Sequence, residues 1–494
     1  MGSLSHGTSL TRRRFLARLG VAAGAMALPL VAACGGQQAA PAKPAESKPA
    51  EAKPTTAAAA PAAPAAPTTA AAAKPAEAAK PAESKPAQSA PASTQTSKML
   101  VWFNAAWNDV SNKAIGDPFV EWGKKNNVEV EYEVLAAQQV AKISAAIQAG
   151  NPPEIMEANP SIAYWVKVEE VVDLSDVYGR LKVKGGGFFP IVEKAVTFPD
   201  GKQWGLAFEA YPWPIHARKD IWEKDGAKFP TTWDEFLDRG PKVQQPPRTF
   251  AAGLAVGREA DHYDNFVAIL WAFGGQLLDD QGKPSFQKDP VVKTLDLYKK
   301  LWDGKMIPED SMAATVTSWN NENYQKKRIL SAINPPTIYG NLVVNDKELL
   351  DQTGLYPLPA GPAGSFTEVT LKNWVIYKKA RNAERAKDAI EYVMQPEVIQ
   401  KISESAAGRS VPPYKDLVNT DFWKKSPMDA LAKIVGETGR PRYYPFGESG
   451  WGAAVIDAAS IAQMLENHLQ KGMPADQAYD ACFADIQTQY ERFK

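Results

Sequence analysis

The sequence beyond residue 97 predicts an α/β fold built on a doubly wound parallel sheet, and three observations support this. Residues 99–103 form an apolar run of strand length, and residues 109–125 follow with the composition of a helix. Between residues 128 and 134, valine and tyrosine alternate with glutamate, which is the period of a strand covered on one face. Strands that alternate with helices in this way are typical of doubly wound sheets.

The next elements extend the same alternation. Residues 140–147 carry apolar side chains at helical spacing, and Gly150 is a plausible stop for that helix. Residues 154–157 then form a short third strand. The pattern therefore predicts at least three strands joined by helices in the first part of the folded region.

Amides and an aromatic ring follow the ends of two of these strands. Asn104, Trp107 and Asn108 come directly after strand one, and Asn159 comes after strand three. In open α/β sheets, ligands bind outside the carboxyl ends of the strands. The sequence therefore predicts a polar, partly aromatic crevice at this edge of the sheet.

A second block of elements begins near Tyr211. Thr232 and Glu235 have the spacing of a capping box, and Asp289 followed by Pro290 indicates another helix start. Further predicted helices cover residues 264–273, 289–302, 383–394, 452–470 and 474–492, and further predicted strands cover residues 328–333, 354–360 and 373–377.

The first 33 residues have the order of an export signal. Arg12, Arg13, Arg14 and Arg18 precede an apolar stretch at residues 19–33, and no acidic residue occurs in this region. The stretch has signal-peptide length and is too short to span a membrane as a stable helix. The order Thr-Arg-Arg-x-Phe-Leu at residues 11–16 resembles a twin-arginine (Tat) signal.

The signal ends in a sequence that resembles a bacterial lipoprotein box. Residues 31–35 are Val-Ala-Ala-Cys-Gly. The resemblance implies cleavage before Cys34 and a diacylglycerol, with palmitate-type chains, on its sulfur. Two acyl chains give stable anchoring in a bilayer. The alternative is a soluble secreted protein cut near the same point. Cys482, the second cysteine, lies on an apolar helical stripe and is expected to be a buried thiol.

Residues 34–97 are predicted to form a disordered tether behind the lipidated cysteine. From residue 37 onward the segment consists almost entirely of Ala, Pro, Lys, Glu, Ser and Thr, with no aromatic side chain and no aliphatic one larger than alanine. Such a segment cannot bury a core, and proline stiffens it. Its expected role is to hold the folded region away from the lipid surface.

Charge and motif content exclude several classes of function. The chain has 56 basic and 56 acidic residues, and the part beyond residue 97 has a net charge of −6. A mildly acidic body argues against nucleic acid as a partner. A redox enzyme, which the export signal would allow, is disfavoured because the sequence has no CxxC, HExxH or GxGxxG motif. The acidic cluster at residues 261–264 is interpreted as a helix start.

Several segments together resemble one known family. They are Glu-Ala-Tyr-Pro-Trp at 209–213, Pro-Thr-Thr-Trp-Asp-Glu-Phe at 230–236, Phe-Gly-Gly at 273–275 and Leu-Pro-Ala-Gly-Pro at 358–362. In order and spacing they resemble the extracytoplasmic solute-binding proteins of carbohydrate ABC importers, the maltose-binding-like family. The resemblance covers essentially all of residues 98–494.

This resemblance implies a fold, a function and partners. The fold is two doubly wound lobes joined by a hinge, with lobe one at residues 98–208 and 366–418 and lobe two at 209–365 and 419–494. A sugar or oligosaccharide binds between the lobes, which close, and a membrane permease recognises the closed form. The implied protein is a monomer without cofactor, metal or catalytic residues, lipid-anchored at the outer face of the cytoplasmic membrane.

A sugar has apolar C–H faces and a rim of hydroxyls, so its site needs aromatic rings and planar polar groups at the lobe edges. The fourteen residues that we predict to bind it combine the strand-end amides with positions that the family resemblance indicates. They are Asn104, Trp107, Asn108, Asn159, Glu209, Tyr211, Trp213, Gly275, Trp319, Asn320, Asn334, Trp374, Arg409 and Trp451.

Some of these residues have competing structural roles. Glu209 can instead pair with a hinge arginine, Arg409 can hold its own loop, and Asn334 can be a turn residue. Trp271 lies on an apolar helical stripe and is expected in the core. At the level of function, the alternatives are the same fold with a peptide, polyamine or phosphorylated ligand, and an extracellular glycosidase or lyase with paired carboxylates.

Overall fold

The structure, a computed structural model, describes residues 97–106, 109–135, 139–158, 162–167, 169–259, 261–315, 318–405 and 408–493. The predicted signal, lipoprotein box and most of the tether lie outside the described residues, as do Trp107, Asn108 and Asn159. Among the described residues, no helix combines the length and the apolar character needed to cross a membrane.

The first sheet is mixed rather than wholly parallel. Its strands have the order β2–β1–β3–β8–β4, with β9 paired to β8. The predicted strands β1, β2 and β3 are present and pair in parallel, whereas β8 runs antiparallel to both β3 and β4. The chain leaves this sheet through β4 and returns through β8 in the opposite direction, which an alternating strand and helix pattern does not reveal. The bounds are β1 Ser97–Asn104, β2 Val128–Leu135, β3 Ile155–Glu157, β4 Leu206–Pro212, β8 Thr367–Ile376 and β9 Gly439–Pro441.

The second sheet is small and antiparallel. Strand β5 (Ile215–Arg218) is central, and β6 (Ser331–Ile333) and β7 (Thr353–Tyr356) flank it. Only Trp213 and Pro214 separate β4 of the first sheet from β5 of the second. The chain therefore passes from one sheet to the other at this point, returns between β7 and β8, and adds β9 to the first sheet later.

Each sheet belongs to its own hydrophobic core. The core around the first sheet includes Phe103 and Trp374 and continues to Val435, beyond the boundary predicted at residue 418. Strand β4 carries Glu209 and Tyr211 within the first sheet, although lobe two is predicted to begin at residue 209. The core around the second sheet collects buried rings and aliphatic groups from distant parts of the chain, among them Trp222, Trp233, Tyr298, Val455 and Ile486.

Local sequence signals account for several helix ends. The Thr232 side chain accepts a hydrogen bond from the Glu235 amide at 3.2 Å, as a capping residue does. The helix predicted to start at Asp289 begins one residue earlier, at Lys288, and Gln287 occupies its N-cap position without a capping hydrogen bond from the side chain. The helix predicted at 452–470 is interrupted at Ala459, whose φ of 52° is left-handed.

The helices cover much of the chain between the strands. Their bounds are Asp109–Asn126, Gln139–Gln148, Ile162–Lys167, Ser175–Leu181, Pro190–Val196, Lys219–Trp222, Trp233–Val243, Asp261–Ala272, Lys288–Asp303, Trp319–Gln325, Thr337–Asn345, Lys347–Asp351, Ala383–Val393, Pro396–Ser405, Met428–Lys433, Gly450–Asp457, Ser460–Leu465 and Ala475–Phe493.

Candidate functional site

A cleft of about 310 Å³ lies at the carboxyl ends of β1 and β3. One wall comes from the first sheet and the segments beside it, and the other from residues near the second sheet. This is the edge of the sheet at which ligands are expected in open α/β folds. The lining residues are Asn104, Ala105, Ile115, Glu157, Ala158, Glu209, Tyr211, Trp213, Asp261, Asn321, Asn334, Pro335, Thr337, Thr370, Leu371, Lys372, Arg409 and Arg442.

Glu157, the last residue of β3, contacts both Asn104 and Lys372 in the part of the cleft beside β1. Its Oε2 accepts from the Asn104 amide at 2.9 Å, and its Oε1 accepts from Asn104 Nδ2 at 2.6 Å. Lys372 Nζ on β8 lies 2.8 Å from the same Oε1. The predicted residue Asn104 therefore lines the cleft with its amide group already held by a carboxylate.

Glu209 on β4 forms a second buried ion pair in the cleft. Arg409 Nη2 and Ser410 Oγ donate to Glu209 Oε1 at 2.7 and 2.6 Å. Tyr211 OH donates to Glu209 Oε2 at 3.2 Å. Of the two roles open to Glu209, pairing with an arginine is present, and both charged side chains still line the cleft.

Two aromatic rings stand beside these pairs. The Tyr211 ring centre lies 5.0 Å from the Arg409 guanidinium carbon and 5.7 Å from Lys372 Nζ, which are cation–π distances. Trp213 Nε1 donates to Thr370 Oγ1 at 2.9 Å, so its polar edge is held. The rings are therefore fixed in orientation along the strand that crosses between the sheets.

The opposite wall is a chain of amides that ends in a carboxylate. Asn320 Nδ2 donates to Asp261 Oδ2 at 3.2 Å and to Asn334 Oδ1 at 3.0 Å. Asn334 Nδ2 in turn donates to Thr337 Oγ1 at 2.9 Å. Asn334 lines the cleft, whereas Asn320 is fully buried behind it and positions its neighbours.

Beside this wall, Arg442, which also lines the cleft, neutralises part of a group of buried carboxyls. Its Nε lies 2.8 Å from Asp264 Oδ1 and 3.8 Å from Glu368 Oε1. Burial raises the pKa of Asp264 to about 6, although Arg442 opposes the shift, and burial together with Asp264 raises the pKa of Glu368. Burial, and then Asp264, raises the pKa of Asp261 to about 7. The carboxyls of Asp261, Asp264 and Glu368 therefore share the guanidinium of Arg442.

Besides Asn320, four of the predicted binding residues lie away from the cleft lining. Trp374 is packed in the first core, with its ring stacked on Phe208 at 4.2 Å. Trp451 is buried in the second core, where its Nε1 donates to the Gly282 carbonyl at 2.8 Å. Each ring fills a core because its side chain projects from its strand or helix toward the protein interior.

The other two of these four also have packing roles. Gly275 leaves room for Leu270 and Pro290, because a Cβ at this position would lie 2.4 Å from Leu270 Cδ1. Trp319 packs against the small cluster around Tyr324. Trp271 is buried in the second core, as expected.

Sequence reasoning missed five residues of the cleft that carry a charge or an amide side chain. Glu157 was assigned only to a strand, Asp261 only to a helix start, and Asn321, Lys372 and Arg442 to no site. The position of Glu157 at the end of strand three was an available signal, since ligands gather at strand ends. Lys372 and Arg442 come from β8 and the segment after β9, whose neighbours in the sheet depend on long-range pairing.

The cleft contains no visible set of metal ligands within the described ranges. No group of three or more His, Cys, Asp or Glu side chains in that part of the chain is arranged to hold a metal ion. Glu157 and Glu209 are each engaged by a cation. The arrangement suits the binding of a polar molecule by preset donors, acceptors and rings.

Comparison with known proteins places these features in a family. A family model described as bacterial extracellular solute-binding protein matches residues 114–430. A protein named as a candidate binding protein in Brucella abortus is 24% identical over 283 residues, which cover 56% of this chain and 65% of that protein. YcjN of Escherichia coli, named as a candidate ABC transporter periplasmic-binding protein, is 22% identical over 63% of this chain and 72% of its own length.

Solved structures share the fold at low sequence identity. Maltose-bound MalE3 of T. maritima has a TM-score of 0.68 and 18% identity, and covers 80% of this chain and 100% of its own. The GacH receptor of Streptomyces glaucescens, solved without ligand and with acarbose, has a TM-score of 0.67 and 18% identity over 81% of this chain and 100% of its own. A sugar transporter protein of Arthrobacter chlorophenolicus with laminaribiose has a TM-score of 0.66 and 16% identity over 79% of this chain and 99% of its own.

Proposed function

The chain belongs to the family of bacterial extracellular solute-binding proteins, and we propose that it captures a sugar or oligosaccharide for an ABC importer. The observation that carries this proposal is a cleft walled by both sheet regions and lined by two oriented rings, amides and paired charges. The ligand is held between two lobes and delivered to a permease in the membrane. The sugar-bound structural relatives support the ligand class.

The chemistry of the cleft fits a polyhydroxylated ligand. The rings of Tyr211 and Trp213 offer apolar faces to the C–H surface of a sugar. Asn104, Asn334 and the charged groups of Lys372 and Arg409 offer donors and acceptors for hydroxyls. Because Lys372 and Arg409 are each paired with a carboxylate of the protein, neither cation needs an anionic group on the ligand.

Closure of the two lobes is the proposed mechanism. A ligand that contacts Tyr211 on the first sheet and Asn334 near the second sheet makes its full set of contacts only when the two walls approach. Differential affinity for the closed form shifts the population toward it. A permease that recognises the closed form then receives loaded protein in preference to empty protein.

The proposal makes this protein a binder without catalytic residues. A glycosidase needs two carboxyl groups free to act as acid and as base or nucleophile. In the cleft, Glu157 is held by Asn104 and Lys372, and Glu209 by Arg409 and Ser410. Prolonged incubation with oligosaccharides should therefore generate no new reducing ends, and their appearance would favour the enzyme alternative.

The anchor and export route complete the proposal. Cys34 carries the lipid after cleavage of residues 1–33, which act as a Tat-type signal, and residues 34–97 serve as the tether. These assignments are supported by the sequence of residues 11–35 and by the composition of residues 37–97. They place a lipid-anchored monomer at the outer face of the cytoplasmic membrane.

A thermal-shift screen of the purified protein tests the ligand class. The panel consists of neutral sugars, amino sugars, amino acids, peptides, polyamines and inorganic anions. A ligand that binds only the native state adds about 2.7 kcal/mol to the free energy of unfolding at a hundredfold excess over Kd. The melting temperature rises as a result. We expect shifts with sugars, and shifts confined to polyamines, peptides or anions would reject the carbohydrate assignment.

A further inference from the structure

The wall of the cleft near the second sheet holds more carboxyl groups than cations. Asp261 lines the cleft and is 8% exposed, and no ion pair to its carboxylate occurs within the described residues. The titratable groups around it are Asp264, Glu259, Glu368 and Arg442. Arg442 lies 2.8 Å from Asp264 and 3.8 Å from Glu368, so one guanidinium is divided among several carboxyls. Within the described part of the chain, the side-chain amide of Asn320 is the hydrogen-bond donor to the Asp261 carboxylate.

A second observation at the same wall indicates a missing donor. Asn321 lines the cleft and is 4% exposed, and its side-chain oxygen has no hydrogen-bond partner among the residues that the structure describes. A buried acceptor without a donor is destabilising, because the hydrogen bonds that it made to water are lost and not replaced. A ligand that donates to this oxygen removes that cost. Asp261 and Asn321 therefore both present acceptor oxygens, and a ligand group with several hydrogen-bond donors suits both.

We infer that the sugar captured in this cleft carries a protonated amino group, which docks against the Asp261 carboxylate and the Asn321 side-chain oxygen. This inference rests on the proposed function, because it names the subclass of sugar that the same cleft takes. An ammonium has three donors and no acceptor, so one group can serve both oxygens. It also supplies the positive charge that the carboxyls around Arg442 lack.

The wall formed by the first sheet offers no second site for the ligand cation. Lys372 and Arg409 are each paired with a carboxylate, Glu157 and Glu209, so that wall carries no excess charge. A ligand cation placed at Asp261 meets no unpaired cation across the cleft in the described part of the chain. A sugar hydroxyl can donate to only one of the two oxygens and brings no charge.

Matched sugar pairs test the inference by calorimetry. The pairs are glucose and glucosamine, galactose and galactosamine, mannose and mannosamine, and cellobiose and its diamino analogue, each with the N-acetylated form as a second neutral control. For the sugar scaffold that binds, we expect the amine to bind about tenfold more tightly than its hydroxyl parent at neutral pH, because a charge-assisted hydrogen bond replaces a neutral one.

The Asp261→Asn variant separates a binding role from a structural one. An asparagine oxygen can still accept from Asn320, so we expect the fold to be kept, and we expect the amine to lose more affinity than its hydroxyl parent, so that the preference for the amine disappears. Asp296→Asn, on an exposed position of the helix Lys288–Asp303, is the matched charge control and should keep the preference.

The outcomes distinguish the inference from the proposed function. Equal or tighter binding of the neutral parent, or an amine preference that Asp261→Asn leaves unchanged, overturns the inference and leaves a sugar-binding function in place. Failure of every sugar to bind, amines included, overturns both.

Discussion

Glu209 on β4 and Arg409, 200 residues later in the chain, form an ion pair of 2.7 Å in which both side chains are buried. The pair fastens the loop after the helix Pro396–Ser405 to the strand that leads from the first sheet to the second. The pair therefore joins the wall of the cleft to the segment that connects the lobes. We expect its loss to affect both the cleft and this connecting segment.

Removal of one partner of this pair should cost stability. In Glu209→Ala, the Arg409 guanidinium stays buried without its counter-charge, and breaking a buried pair in this way costs about 3–5 kcal/mol. Urea unfolding of the ligand-free protein measures the loss. Glu129→Ala, at an exposed position of β2, is the control and should change the free energy of unfolding by less than about 0.5 kcal/mol. A Glu209→Ala variant as stable as this control would contradict the prediction.

The Tyr211 ring should contribute to ligand affinity more than its hydroxyl does. Tyr211→Ala removes the apolar face along the cleft and should weaken binding of the identified sugar about tenfold, in line with the typical value of an aromatic contact. Tyr211→Phe loses only the donation to Glu209 at 3.2 Å and should bind within about threefold of the parent. Calorimetric Kd values for the two variants test this difference. Equal losses of affinity in Tyr211→Ala and Tyr211→Phe would count against a stacking role.

The sequence predicts the cleft where it depends on local strand geometry. Asn104 follows the apolar run of β1, so its place at the carboxyl edge follows from the strand itself. Tyr211 and Trp213 were predicted from the resemblance of residues 209–213 to a crossing segment, and both line the cleft. Local pattern and resemblance sufficed for these residues.

The rest of the cleft depends on pairing between distant segments. Lys372 lies opposite Glu209 in the register of β8 on β4, which no local pattern specifies. Trp374, two residues further along the same strand, points into the core instead. Residues two apart share a face of a strand, so alternation does not separate Lys372 from Trp374. They differ in their position along the strand, and the pairing of β8 with distant segments sets which position meets the cleft.

Stability should fall with rising pH because of Glu259. This residue is 1% exposed, and burial, followed by Asp261, raises the pKa of its carboxyl from 4.5 to about 9. Between these values the folded protein holds a proton that the unfolded chain has released. The free energy of unfolding therefore decreases with pH in this window, by up to about 1.4 kcal/mol per pH unit.

Glu259→Gln should remove this dependence, since the amide does not titrate. The difference in unfolding free energy, variant minus wild type, should grow steadily between pH 6 and pH 8.5 in urea titrations. Asp296→Asn is the control, with an exposed carboxylate on the outer side of its helix, and its difference should stay flat. A constant difference for Glu259→Gln would show that the carboxyl is already ionised when folded.

Cys34 should determine membrane attachment. In cells that express the full chain, the wild type should label with radioactive palmitate and sediment with membranes, and Cys34→Ser should do neither because no acyl chain can be attached. Cys482→Ser is the matched control, since the Cys482 thiol is buried, with its Sγ 3.5 Å from the Ser460 carbonyl. Palmitate labelling that persists in Cys34→Ser would refute the anchor.

Trp374 should act through the core and not through the ligand. Its ring stacks on Phe208 and meets Phe119 edge-on at 5.1 Å, so Trp374→Ala leaves a cavity and should cost about 3–5 kcal/mol of stability. The smaller change Trp374→Phe should lower the urea midpoint by less, and should leave the Kd for sugar unchanged at a temperature where the variant is folded. If Trp374→Phe instead weakened binding as much as Tyr211→Ala while keeping wild-type stability, the ring would have to face the ligand, as the sequence alone had predicted.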